Sequence, residues 1–209
     1  MKKLGFTLSE LLITLGIIGV ISALTLPTLI SDTTSAQIGP KLAKAVAAFE
    51  QANQAMLSAK LSDSITDARL DDGVEYSENI TKYFKATATD QRPIGTSLTS
   101  KDGFRYNLQF DNVPFDTSLP AHQQMIGRVR IQIDLKNQIA GTNYFGFSLW
   151  NDGSLIPQGA IGWDGTSDSN DGGAMHWKTL CPKAENGSVT DGFACAGHIF
   201  ENNLKVLYK

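Results

Sequence analysis

The sequence predicts an α+β fold: a long N-terminal helix, with a transmembrane half and an amphipathic half, and a small antiparallel sheet. Three observations carry this. No charged residue occurs from Leu11 to Leu26. Apolar residues then recur at helical spacing from Leu42 to Leu61, and two later runs alternate apolar with polar residues as half-buried strands do. The expected organisation is a short basic segment over 1–5, an apolar helix over 6–30, and a head over 31–209 that contains an amphipathic helix over 41–61 and a C-terminal antiparallel sheet.

The apolar segment comes first. A helix from Phe6 to Ile30 would be about 38 Å long at 1.5 Å per residue, enough to cross a hydrocarbon core of roughly 30 Å. Glu10 stands at its head, and an ionised carboxylate in a bilayer is unfavourable by roughly 3 kcal/mol. The Leu, Ile and Val residues between Leu11 and Leu26 contribute about 0.3 to 0.6 kcal/mol each and outweigh that cost. An intramembrane acid of this kind marks a functional site with a partner; the competing reading is an acid that snorkels to the interface. Lys2 and Lys3 ahead of the span place the N-terminus in the cytoplasm and everything after about residue 31 outside it. Pro27, near the far end of the apolar run, should kink the helix or stop it at the membrane exit.

Gly5-Phe6-Thr7-Leu8-Ser9-Glu10, after a basic leader and before the apolar run, resembles the processing signal of type IV prepilins and type II secretion pseudopilins. Ser9 departs from the aliphatic residue usual there. The resemblance implies cleavage between Gly5 and Phe6 by a prepilin peptidase, N-methylation of Phe6, and storage as a single-pass protein of the inner membrane with an extracytoplasmic head. It further implies that Glu10 pairs with the N-terminal amine of a neighbouring subunit while an assembly platform builds a helical filament, in the periplasm or on the cell surface. Two charges poorly solvated in lipid attract more strongly than in water, so pairing removes a cost that each carries alone.

Past the span, Gly39-Pro40 should interrupt the helix before the amphipathic stretch begins. Leu42, Val46, Phe49, Met56, Leu57 and Leu61 then form one apolar face. The resemblance to pilins implies that this half of the helix continues into the head and packs on its sheet. Asp63 to Leu119 is rich in Asp, Ser and Thr and reads as irregular, with short helical segments around Val74 to Lys85. Strands follow where Phe104, Tyr106, Leu108 and Phe110 alternate with polar residues, and again at Val129, Ile131, Ile133 and Leu135. Phe145, Phe147 and Leu149 lead into Asn151-Asp152-Gly153-Ser154 and Leu155, a hairpin signal because the turn needs positive φ. Gly141, Asn143, Phe145 and Phe147 on alternate positions also resemble a segment of some prepilin-like heads; an ordinary amphipathic strand explains the same residues.

Cys181 and Cys195 are the only cysteines, and both fall in the part expected outside the cytoplasm. That compartment favours a disulfide, and the pair resembles the C-terminal disulfide loop of many pilins. A zinc site from His176, Cys181, Cys195 and His198 competes with it, although the spacings fit no common zinc motif; a Cys-His nucleophile is the third option. Asp164, Asp168 and Asn170 lie among glycines and serines with Asp171, and hard oxygen ligands at such spacing suit calcium. Thr166, Ser169 and Met175 depart from an EF-hand loop, and a solvated loop explains the same residues. Trp150, Trp163 and Trp177 read as packing rather than a carbohydrate platform, and His122 as an exposed loop residue.

Composition limits the function classes. The chain has 209 residues with 18 Lys and Arg against 21 Asp and Glu, a net charge of −3, which gives no support for nucleic-acid binding. No paired-acid, Ser-His-Asp or phosphate-loop signature occurs, so the expectation is a non-enzymatic protein. The expected function is a structural subunit of a type IV pilus or a type II secretion pseudopilus, whose partners are prepilin peptidase, other subunits, the assembly platform and the membrane. A singly anchored extracytoplasmic binding or adhesion module that never polymerises is the alternative.

Overall fold

A computed structural model describes residues 7–66, 70, 72–92, 95–110, 124–135, 138–139, 141–160, 177–181 and 192–206, with side chains in 26–35, 92 and 179 left aside. The fold is α+β. Helix α1 spans Leu8–Lys60 and helix α2 spans Gly73–Ile80. Six strands follow: β1 (Ala86–Arg92), β2 (Gly95–Ser100), β3 (Arg105–Phe110), β4 (Met125–Gln132), β5 (Tyr144–Trp150) and β6 (Leu155–Pro157). They form one antiparallel sheet in chain order. Two short helices, α3 (Trp177–Leu180) and α4 (Cys195–Glu201), complete the described elements, the second preceded by a 3-10 turn over Gly192–Ala194. The chain divides into two compact units between Gln37 and Ile38.

The expected break at Gly39-Pro40 does not occur, because α1 runs helically through both residues. Pro40 cannot donate to the Ala36 carbonyl, which costs about 3 kcal/mol in a helix interior. Ile38 and Leu42 on either side are buried in the core, and two such side chains contribute about 1.5 to 3 kcal/mol each. Packing therefore outweighs propensity. Gly39 is itself required: a Cβ there would lie 1.8 Å from the carbonyl oxygen of Leu204, so only glycine lets the C-terminal segment cross the helix so closely. The helix also includes Pro27, so that proline does not end it.

α1 closes one residue earlier than its apolar periodicity suggests. Leu61 takes φ +53° and is 95% exposed, outside the buried face. Ser62 N–H donates to Leu57 O and Leu61 N–H to Ser58 O, the paired bonds of a Schellman cap, with leucine in the left-handed position usually given to glycine. The other apolar positions, Leu42, Val46, Phe49, Met56 and Leu57, are all buried. Phe49 is their centre. Its ring stacks on Tyr106 of β3 at 5.2 Å, meets Phe84 edge-on at 6.2 Å and lies 6.5 Å from Tyr76 of α2. The tyrosines keep their hydroxyls satisfied in the core, Tyr106 donating to Ala45 O at 3.0 Å and Tyr76 to Asn53 Oδ1.

The stretch read as irregular holds ordered structure. α2 starts on an Asp72 cap whose carboxylate accepts from Val74 N and Glu75 N, close to where a helical segment was expected. β1 and β2 were not expected, because Thr, Ser and Ala leave almost no apolar alternation in them. Leu98 is the one large apolar residue they bury. β-branched threonines and pairing, of β2 with β3 and of β1 with β2, suffice once β3 exists. The Asp102-Gly103 turn, with Gly103 at φ +84°, was the available signal.

β3 alternates as expected. β4 ends at Gln132, so Ile133 is buried just beyond it while Leu135 is exposed, against the expectation of a strand through Leu135. β5 is buried along its whole length rather than on one face. Its second face is covered by the C-terminal segment: Phe193 packs on Tyr144 at 5.2 Å, and a Cβ on Gly146 would lie 2.8 Å from that of Phe193. The Asp152-Gly153 turn forms, with Gly153 at φ +84° and Asp152 Oδ1 accepting from Ser154 N–H and Oγ.

α1 holds that turn directly. Asn53 Nδ2 donates to Gly153 O, Gln54 Nε2 to Asp152 O, and Leu155 N–H to Glu50 Oε1, each at 2.9 Å. Burial raises the Glu50 carboxyl above its ordinary 4.5; the Leu155 bond opposes this and the Asp152 charge adds to it. A carboxyl raised on folding favours the folded state below its unfolded value, and that contribution is lost as pH rises through the folded value. Stability should thus carry a downward slope with pH starting near 4.5, which Glu50→Gln removes while its amide oxygen still accepts from Leu155. Melting temperatures of both proteins between about pH 4 and 7 check this; identical slopes would refute it.

Candidate functional site

Two places concentrate the residues singled out by the sequence. The first is the start of α1. Thr7 Oγ1 accepts from Glu10 N–H at 3.3 Å, while Glu10 Oε2 accepts from both Thr7 N–H and Thr7 Oγ1 at 2.8 Å. This is a reciprocal capping box, and Thr7-x-x-Glu10 is its sequence signature. Glu10 thus already has a partner within its own chain. Both bonds fall on Oε2, which leaves Oε1 open to a further donor.

Beyond Glu10 the helix is apolar on all sides. From Leu11 to Ile21 the Leu, Ile and Val side chains are 50–64% exposed, and the window Leu8–Thr25 is long and apolar enough to cross a membrane, with none of it buried. Its two threonine hydroxyls bond to the helix backbone: Thr14 Oγ1 donates to Glu10 O and Leu11 O, and Thr25 Oγ1 to Ile21 O. Those bonds remove the polar cost that an apolar medium would impose. A helix that is apolar all round needs apolar surroundings on every side. Gly5 and Phe6 lie outside the described residues.

The second place is the C-terminal segment. Cys181 and Cys195 form a disulfide, both fully buried. With the sulfurs bonded to each other, neither serves as a thiolate ligand for zinc or as a nucleophile. Gly141, at φ +71°, fits against this bridge, since a Cβ there would lie 3.0 Å from Cys195 Sγ. His198 stands one turn further along α4, its ring 4.3 Å from that of Trp177 and its Nδ1 3.1 Å from Asn202 Nδ2. Burial pushes its imidazole below the ordinary 6.5. Trp177 Nε1 donates to Glu201 Oε2 at 2.5 Å, and Trp150 is buried in β5; both act in packing. Asn143 does more than hold a position ahead of β5: its side chain ties a loop, accepting from Ile139 N–H and donating to Asp134 Oδ1, each at 2.8 Å.

Asp164, Asp168 and Asn170, the residues considered for calcium, lie outside the described residues, as do His122, Trp163 and His176. Among the described residues no group of three or more His, Cys, Asp or Glu side chains is placed to hold a metal ion. Comparison of the chain with protein-family models, with curated proteins and with solved structures returns no match.

Proposed function

We propose that this chain is a pilin-like or pseudopilin-like assembly subunit. It is stored in the inner membrane by α1, cleaved after Gly5 and N-methylated at Phe6 by a prepilin peptidase, and drawn by an assembly platform into a helical filament. The observation that carries this reading is the unburied apolar surface of Leu8–Thr25 led by Glu10. Lipid satisfies such a surface in storage, and the same segment of other copies satisfies it in a filament. Repeated heterologous contacts of that kind build open helical arrays. Glu10 serves twice here, its Oε2 capping its own helix and its Oε1 accepting the amine of a neighbouring Phe6. The disulfide-closed C-terminal segment suits an oxidising compartment outside the cytoplasm.

N-terminal and intact mass spectrometry of the protein recovered from its native membrane or shed filaments tests this. A mature chain that begins at N-methylated Phe6 is the expected result; an intact Met1, or a cut near Ala23, would overturn it. Glu10→Ala should leave cleavage unchanged and greatly reduce incorporation into filaments. A singly anchored module that does not polymerise would instead keep its membrane level and show no assembly in either form.

A further inference from the structure

The head carries a cleft of about 330 Å³ that the assembly reading does not use. This volume sits at the lower end of the roughly 300 to 1,000 Å³ common for sites that take small organic molecules. Small residues create it: Ala48 and Ala52 line the α1 wall, while the chain after α2 and the turn between β2 and β3 form the other side. That turn is well tied. Lys101 N–H donates to Lys85 O at 3.1 Å, Ser100 N–H to Phe104 O at 2.8 Å, and Phe104 N–H to Ser100 Oγ at 3.1 Å. The backbones of Lys85 and Lys101 are therefore fixed side by side at one mouth of the cleft.

The charge there runs against that of the chain. Lys85 and Lys101 line the cleft, and among the described residues neither ammonium has an ion-pair partner. The Asp102 carboxylate is held by Lys44 at 2.9 Å, and Lys44 Nζ lies 5.9 Å from the Phe104 ring centroid. Two lining lysines thus stand beside one lining acid whose charge Lys44 already neutralises, on a protein of net charge −3. Tyr83 offers a ring that is 43% exposed, and Gln51 an exposed amide that both donates and accepts.

We propose that this cleft binds a carboxylated sugar unit, the hexuronate class found in acidic polysaccharides. Its carboxylate meets Lys85 and Lys101, the apolar C–H face of its ring lies on Tyr83, and its hydroxyls exchange hydrogen bonds with Gln51. Lysines hold phosphate as point charges, but two lysines supply neither the guanidinium fork nor the nest of backbone N–H groups that orients it. Nucleic acid gains its affinity from many neutralised phosphates, whereas this mouth neutralises two charges. A carboxylate beside hydroxyls on a compact ring matches the mixture of cation, amide and aromatic face.

The test uses the full-length protein in nanodiscs of uncharged lipid, titrated calorimetrically at low ionic strength with a galacturonate trisaccharide. Saturable binding at one site is expected, weakened about tenfold by Lys85→Gln or by Lys101→Gln, as loss of one charge-assisted bond implies. Tyr83→Ser should also weaken binding, and an uncharged galactose trisaccharide should not saturate. These side chains are exposed, so unchanged melting temperatures will show that the variants fold. Absence of saturation, equal binding by both lysine variants and the parent, or equally tight binding of the neutral trisaccharide, an oligoglutamate or a single-stranded oligonucleotide would each overturn the proposal. None of these outcomes depends on whether Gly5 is cleaved or filaments form.

Discussion

Phe49→Ala should cost the head about 3 to 5 kcal/mol, the range for removing a large buried aromatic side chain. Phe49 is fully buried and joins three elements: its ring touches Tyr106 of β3, Tyr76 of α2 and Phe84 just beyond α2. The cavity left by truncation cannot collapse easily. Tyr106 is held by its bond to Ala45 O and Tyr76 by its bond to Asn53, so neither ring can move inward without leaving a buried hydroxyl unpaired, which adds about 1 to 3 kcal/mol. Urea unfolding of the full-length protein in detergent, followed by tryptophan fluorescence, measures the loss. Gln51→Ala, on the exposed side of the same helix, should stay within about 0.5 kcal/mol. Equal midpoints for parent and Phe49→Ala would mean that α1 does not anchor the sheet.

Replacing Cys181 and Cys195 together by alanine should lower stability by about 3 kcal/mol. The bridge joins residues 14 apart in sequence, and for a loop near that size the chain-entropy model gives this value. The loss should be felt unevenly. Cys195 opens α4 directly after the 3-10 turn whose Phe193 covers the second face of β5, and Phe200 of α4 packs on Phe147 of the same strand. Hydrogen exchange should therefore accelerate in Tyr144–Trp150 and in α4 more than in β1 and β2. Reduction of the parent protein should reproduce the change. A uniform acceleration across the sheet would show instead that the bridge acts only on the unfolded chain.

The N-terminal part of the candidate site was legible because length and composition alone mark an apolar helix of membrane length. An uncharged run of Leu, Ile and Val needs no tertiary partner to be recognised, and the one acid at its head stands out against it. The capping bond between Thr7 and Glu10 was equally local and could have been read from their spacing. The lysine cleft could not. Lys85 and Lys101 lie 16 positions apart and are ordinary surface lysines until β1, β2 and the turn at Gly103 set their backbones together.

The sequence by itself determined the α+β class, the membrane-length helix, the buried face from Leu42 to Leu57, strand β3 and the Asp152-Gly153 turn. These depend on periodicity, length and local backbone preference, which act over a few residues. Tertiary structure decided the rest. It carried α1 through Gly39-Pro40, because burial of Ile38 and Leu42 offsets the missing hydrogen bond and because Gly39 admits the Leu204 carbonyl. It made strands of the threonine-rich β1 and β2, whose own apolar pattern is too weak to specify them. It buried β5 on both faces by folding the C-terminal segment over it. In each case the deciding energy comes from contacts between residues far apart in the chain, which a local pattern does not contain.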